Sequence, residues 1–168
     1  NVDPAMTQVT FPDGFRQTDT SFDVFLQSLE ARGLTGDDIA GVMLETYQGG
    51  SAAFAPVDYI QQLRAWCDKH NVLLTFDEVQ AGFGRTGAFW GFEHYDVTPD
   101  LIACGKGISG GMPLSAVIGR PELLNQYPAG SMTSTHTGNP ICCAAALAGI
   151  NIILDEDLVG RAKTLGEI

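Results

Sequence analysis

Two apolar runs that end in polar chemistry dominate the pattern along the chain. Residues 73–87 read LLTFDEVQAGFGRTG, and residues 101–111 read LIACGKGISGG. Each predicts a buried parallel strand whose carboxyl end opens into a glycine-punctuated loop, where open α/β sheets place their ligands. One strand end delivers Asp77 and the other Lys106.

The flanking pattern supplies the rest of a sheet and its helices. Phe22, Phe25, Leu26 and Leu29 recur at helical spacing, with Thr20 or Ser21 as the cap and Gly33 as the stop. Residues 39–45 are a third short apolar run ending in an acid, Glu45. They continue into a glycine-rich loop, Tyr47-Gln48-Gly49-Gly50-Ser51, at the same sheet edge. Residues 56–70 open on Pro56 and close on Lys69 and His70, with Ile60, Leu63 and Cys67 as an apolar stripe and Trp66 alongside. A strand over 72–77 follows at once, and strand–helix–strand order predicts a crossover between parallel neighbours. Residues 115–119 predict one more short strand, reached by a tight reversal and suited to antiparallel pairing. Asn139 caps and Pro140 opens a last helix through Leu154, with Ile141, Leu147, Ile150 and Leu154 expected inward. Residues 1–19, with Pro4, Pro12 and Gly14, read as an irregular connection. The fold class is α/β, a central mostly parallel sheet with flanking helices.

Composition narrows the partners. The chain has 168 residues, about one domain's worth, and 45% apolar content suits a globular chain. A net charge of -11 opposes nucleic-acid wrapping and anionic membrane surfaces. No apolar run approaches the ~18–20 residues of a membrane span, and no signal-peptide pattern opens the chain. Cys67, Cys104, Cys142 and Cys143 lack metal-ligand spacing, and the three histidines are scattered, so no metal site is expected. Buried free thiols suit a reducing, cytoplasmic setting.

Lys106 lies between Gly105 and Gly107, which allow a sharp turn and leave space beside the amine. Lysine forms imines with carbonyl compounds where its surroundings favour the free amine. A pyridoxal phosphate enzyme needs such a lysine and an acid against the pyridine nitrogen, and Asp77 suits that task.

Three ordered motifs sharpen this reading. Residues 77–87, Asp-Glu-Val-Gln-Ala-Gly-Phe-Gly-Arg-Thr-Gly, then Gly105-Lys106-Gly107, then Gly138-Asn139-Pro140, resemble the class III aminotransferases. The likeness runs in order from about residue 39 to residue 154. It implies the large domain of a fold-type I, pyridoxal phosphate-dependent transaminase. Such an enzyme passes an amino group from an amine or amino acid donor to a 2-oxo acid through a lysine Schiff base. The resemblance further implies a homodimer, and residues 1–168 as a single incomplete domain. The N-terminal part and the C-terminal small domain are expected outside this sequence, and the segment alone is expected to be inactive.

By the same resemblance, Lys106 is the Schiff-base lysine and proton shuttle, and Asp77 is the acid at the ring nitrogen. Val79 packs on the ring face, Gln80 donates to the ring's phenolic oxygen, and Thr135 binds the phosphate of the neighbouring subunit's cofactor. Glu45 lines the cofactor side. Glu78 and Arg85 are read as structural.

Two departures stand out. Gly50 occupies the position of a glutamate that in the family switches a substrate-binding arginine, which makes ω-amino donors less expected. Thr137 stands where glycine is usual, which puts the loop geometry around Thr135 in question. Decarboxylase and aminomutase chemistry also occur in the family. The rival readings are a nucleotide hydrolase, because residues 72–78 also fit a Walker B strand, and a non-catalytic relic of the fold. A phosphate loop would need glycine at Asp100 and a hydroxyl at Gly107, and would precede the acid rather than follow it.

Overall fold

The computed structural model describes residues 5–131 and 133–168. Pro4, in the irregular opening connection, lies outside the described residues. Helix α1 spans Asp23–Glu30, and strand β1 spans Gly41–Glu45. A small antiparallel hairpin follows, β2 (Tyr47–Gln48) and β3 (Ala53–Phe54). Helix α2 (Val57–His70) returns the chain to β4 (Leu73–Asp77). Then come β5 (Leu101–Cys104), β6 (Ala116–Gly119), the single turn α3 (Pro121–Leu124), and helices α4 (Pro140–Asp155) and α5 (Leu158–Leu165).

The four-stranded sheet runs in the order β1-β4-β5-β6. β4 is parallel to both neighbours, whereas β6 is antiparallel to β5. This is the mostly parallel α/β sheet predicted above, and Glu45, Asp77 and Ala103 stand side by side at its carboxyl edge.

Helix α2 forms because its apolar positions fall on one stripe. Ile60, Leu63 and Cys67 are essentially buried against Leu74 and Phe76 of β4. Its end is set by Asn71, which adopts a left-handed conformation (φ 55°), one that asparagine tolerates better than most residues. There the Val72 amide donates to the Cys67 carbonyl at 2.9 Å, so the chain leaves the helix directly into the strand. On the outer side, Phe22, Phe25 and Leu29 of the first helical segment close the same core, with Phe25 edge-on to Trp66.

The far end of the sheet is pinned by Asp100. Its Oδ2 accepts the Leu74 amide at 2.8 Å and Arg64 Nη1 at 2.9 Å, and Arg120 Nη2 lies 3.3 Å from Oδ1. Burial pushes this carboxyl upward, but the Leu74 amide and the two guanidinium groups outweigh it and hold the group below its usual range.

Two expectations are corrected. Neither Thr20 nor Ser21 caps α1, which starts after Phe22 with no side-chain cap, while the Asp19 carboxylate takes the Ser21 amide. In α4 the Asn139 cap holds, its Oδ1 accepting the Ile141 and Cys142 amides, but the inward face differs. Cys142 and Ala146 face the core, while Ile141, Leu147 and Leu154 are 67%, 65% and 58% exposed and Ile150 is half-buried. This helix is apolar all round, so periodicity selects no face. Small residues win the inner one because they let the helix approach the turn after β5 closely.

Candidate functional site

The site begins with the alternation of side chains along β4. Phe76 and Glu78 point into the core, and Asp77, between them, is half-buried on the other side. Asp77 Oδ1 accepts the Val79 amide at 2.9 Å, which fixes the carboxylate, and among the described residues Oδ2 is left open to an added donor.

Glu78 is fully buried and its hydrogen bonds account for it. Oε1 accepts from Thr46 Oγ1 (2.7 Å) and the Phe92 amide (2.9 Å), and Oε2 accepts the Gly91 amide (2.7 Å). Burial raises this carboxyl more than the three donors lower it. Tyr95 completes the scaffold, its hydroxyl donating to the Thr46 carbonyl at 2.6 Å. The end of β4 is thereby tied to the chain just past β1 and to the turn over 91–95. This is the structural role expected of Glu78.

Lys106 opens the 3-10 turn Lys106–Ser109 directly beyond β5. Its φ of 41° is left-handed, a conformation that costs a lysine on the order of 1–3 kcal/mol and persists only where the surroundings impose it. Lys106 Nζ donates to Gln80 Oε1 at 2.7 Å, so the loops after β4 and β5 meet at the amine. Beside it, a side chain at Gly105 would come within 3.8 Å of Val79 Cγ1, which places Val79 against the lysine's own turn.

Glu45, at the end of β1, sends Oε2 to the Gly49 amide at 2.9 Å and so holds the β2–β3 hairpin. Thr135 is not brought to this cluster within the chain. It sits exposed in a turn where Thr137 Oγ1 accepts the Ser134 amide (3.0 Å), so the unusual Thr137 closes the loop with its side chain. Gly50 is exposed with open space where a side chain would stand. Arg85 is exposed on its loop. Among the described residues, no group of three or more histidine, cysteine or acidic side chains is placed to hold a metal ion.

Sequence reasoning missed Gly49. A Cβ there would stand 1.9 Å from Gln80 Nε2, so the glycine is needed for space rather than for its backbone freedom. Only the neighbouring Gly-Gly pair hinted at it.

The set assembled at this edge is an amine, a carboxylate with a free oxygen, an amide and an apolar side chain, with room left by glycine. Pyridoxal phosphate asks for these groups: an amine for its carbonyl, an acid for its ring nitrogen, and an apolar surface for the ring face. The residues fit the cofactor.

Comparison with known proteins agrees. The family model for aminotransferase class-III matches residues 2–168. Acetylornithine aminotransferase of Methanopyrus kandleri is 42% identical over 133 residues, covering 79% of this chain and 34% of that protein. Isoleucine 2-epimerase of Lentilactobacillus buchneri is 38% identical over 174 residues, covering 97% of this chain and 38% of its own. A solved ornithine aminotransferase from Toxoplasma gondii, described with pyridoxal phosphate at partial occupancy in its active site, superposes with a TM-score of 0.78 at 32% identity. That alignment covers 88% of this chain and 34% of the solved one. The chain thus spans about a third of the length of the relatives it matches. Nothing among these similarities supports a nucleotide hydrolase. With a match along nearly its whole length and the lysine and aspartate motifs on adjacent strand ends, the chain belongs to the class-III aminotransferase family.

Proposed function

We propose that the protein containing this chain is a pyridoxal phosphate-dependent aminotransferase, moving an amino group from an amine or amino acid donor to a 2-oxo acid. The observation that carries the reading is the meeting of Lys106 Nζ with Gln80 at the sheet edge where Asp77 ends β4. The family is pyridoxal phosphate-dependent, and bound cofactor supplies an electron-withdrawing ring that stabilises negative charge at the substrate carbon.

The chain's own residues then divide the work. Lys106 provides the amine that tethers the cofactor, and its Nζ moves the proton at the substrate carbon. Gln80 orients that amine and offers its amide to the ring oxygen. Asp77 accepts a hydrogen bond from the ring nitrogen with the oxygen that Val79 leaves free. Val79 covers the ring face and excludes water there. Glu45 lines the same edge through its hold on the hairpin, and Thr135 serves the phosphate of a partner subunit. That last role belongs with a homodimer, and the exposed position of Thr135, away from its own chain's cluster, is in keeping with it. The chain is the central part of the large domain in this reading, with the small domain contributed by sequence outside it.

Among the described residues, no helix is long and apolar enough to cross a membrane. Four free cysteines suit a reducing compartment, and a cytoplasmic location is part of the proposal.

The similarity to an isoleucine 2-epimerase along nearly the whole chain favours a second reading, in which the same lysine serves epimerisation of an amino acid. Supplying the full-length protein with pyridoxal phosphate, a single amino acid and 2-oxoglutarate separates the two. Aminotransfer yields glutamate and the donor's 2-oxo acid. Inversion of the amino acid without glutamate formation would establish the second reading instead.

A further inference from the structure

Gly49 lies two contacts from the lysine, against the Gln80 amide, and Glu45 one contact further, through the Gly49 amide. The Gly49 amide is held by Glu45 Oε2 at 2.9 Å. The space a Gly49 side chain would fill is taken by the Gln80 amide, whose Nε2, Cδ and Oε1 lie 1.9, 2.3 and 2.8 Å from the would-be Cβ. The same Oε1 takes the hydrogen bond from Lys106 Nζ. Gly49 has no left-handed backbone that would explain a glycine there. The neighbouring Gly50 would meet nothing within 4 Å, so crowding is specific to one position of the pair.

We propose that Glu45 and Gly49 are positioning residues for the reactive amine. The carboxylate sets the height of the hairpin, the bare glycine forms a seat for the Gln80 amide, and the seated amide aims Lys106. The inference rests on Lys106 being the reactive amine, but its test does not need the cofactor.

The seat makes a distinctive prediction because Gln80 is a flexible side chain. Adding a methyl at Gly49 displaces the amide rather than the backbone. The loss should therefore register at Lys106, two contacts away, and only while Gln80 is present.

The test is acylation of the cofactor-free, full-length protein with acetic anhydride at fixed pH. The rate at Lys106 is read by peptide mass spectrometry relative to exposed Lys69. Freed from its acceptor, Lys106 in Gly49→Ala should react about threefold faster, the low end of one hydrogen bond's worth. Gln80→Ala should match it, and Gly49→Ala should add nothing in the Gln80→Ala background. Glu45→Ala should follow Gly49→Ala, whereas Glu45→Gln, which keeps an oxygen for the Gly49 amide, should behave as wild type. Gly50→Ala should leave the ratio unchanged. An unchanged ratio in Gly49→Ala, or a further rise on adding it to Gln80→Ala, would overturn the proposal. If Gly49→Ala fails to fold, the Glu45→Ala and Glu45→Gln pair decides, and equal behaviour of those two would overturn it. A Lys106 that later proves not to bind cofactor would refute the functional reading while leaving these ratios standing.

Discussion

Lys106 Nζ and Gln80 Oε1 lie 2.7 Å apart, although twenty-six positions of sequence separate the two residues. The contact exists because β4 and β5 are parallel and in register at Asp77 and Ala103, so the loops leaving both strands emerge at one edge. Asp77 stands at the same edge, and among the described residues no hydrogen bond reaches its second oxygen. The consequences can be tested one residue at a time.

In the role proposed for Asp77, Asp77→Asn would remove the negative charge that holds a ring-nitrogen proton while preserving shape and an acceptor for the Val79 amide. Amino transfer by the full-length enzyme should fall by about a hundredfold or more, as when a preorganised electrostatic partner is lost. Covalent attachment of the cofactor at Lys106 should persist. Single-turnover rates with a saturating donor measure the first, and absorbance of the cofactor the second.

Glu78→Gln should destabilise the fold by about 2 kcal/mol, because it sets an NH2 group against one of the three donors that the two Glu78 oxygens accept. The pH dependence has a definite sign. Glu78 titrates higher in the folded state than unfolded, so ionising it costs stability, and the wild type loses that contribution as pH rises from about 4.5 through the raised value. The gap between wild type and Glu78→Gln should thus be widest in mild acid and narrow toward neutrality in urea denaturation.

Asp100→Asn should show the opposite trend. The folded-state carboxyl is held low, so its stabilisation is present above the unfolded value of about 3.9 and is lost as pH falls through the folded one. The substitution should cost about 2 kcal/mol at neutral pH by weakening bonds to Leu74 and Arg64, with the difference vanishing in strong acid. Denaturation midpoints across that range provide the check.

Leu63→Ala opens a hole where α2 packs on β4. Leu63 is 1% exposed, so the cost should be about 2–5 kcal/mol. The site lies beyond the end of β4, so the acylation rate of Lys106 in the folded variant should stay at its wild-type value.

Much of this architecture was legible from residue order. The α2 stripe worked because Ile60, Leu63 and Cys67 recur at helical spacing with Tyr59 and Trp66 beside them, while Asp58, Gln61, Gln62, Asp68 and Lys69 take the outer faces. The strand ends were readable because apolar runs stopping at Asp77 and Cys104 leave polar groups nowhere else to go. In α4 the same logic failed, since Ile141, Leu147 and Leu154 are as apolar as the residues that are buried. The α1 cap failed because the helix begins later than expected, after Phe22, and Asp19 accepts the Ser21 amide ahead of it. The glycines beside Lys106 and the Gly49-Gly50 pair signal tight turns, but neither the left-handed lysine nor the seating of Gln80 on Gly49 follows from them. Each is imposed by a segment distant in sequence, which a one-dimensional pattern does not display.

The most direct test of the central claim is to reduce the full-length protein, loaded with pyridoxal phosphate, with borohydride and to map the modified peptide. Lys106 should carry the cofactor, and Lys106→Ala should retain none after denaturation. Attachment at a different lysine, or an undiminished covalent adduct in Lys106→Ala, would contradict the account.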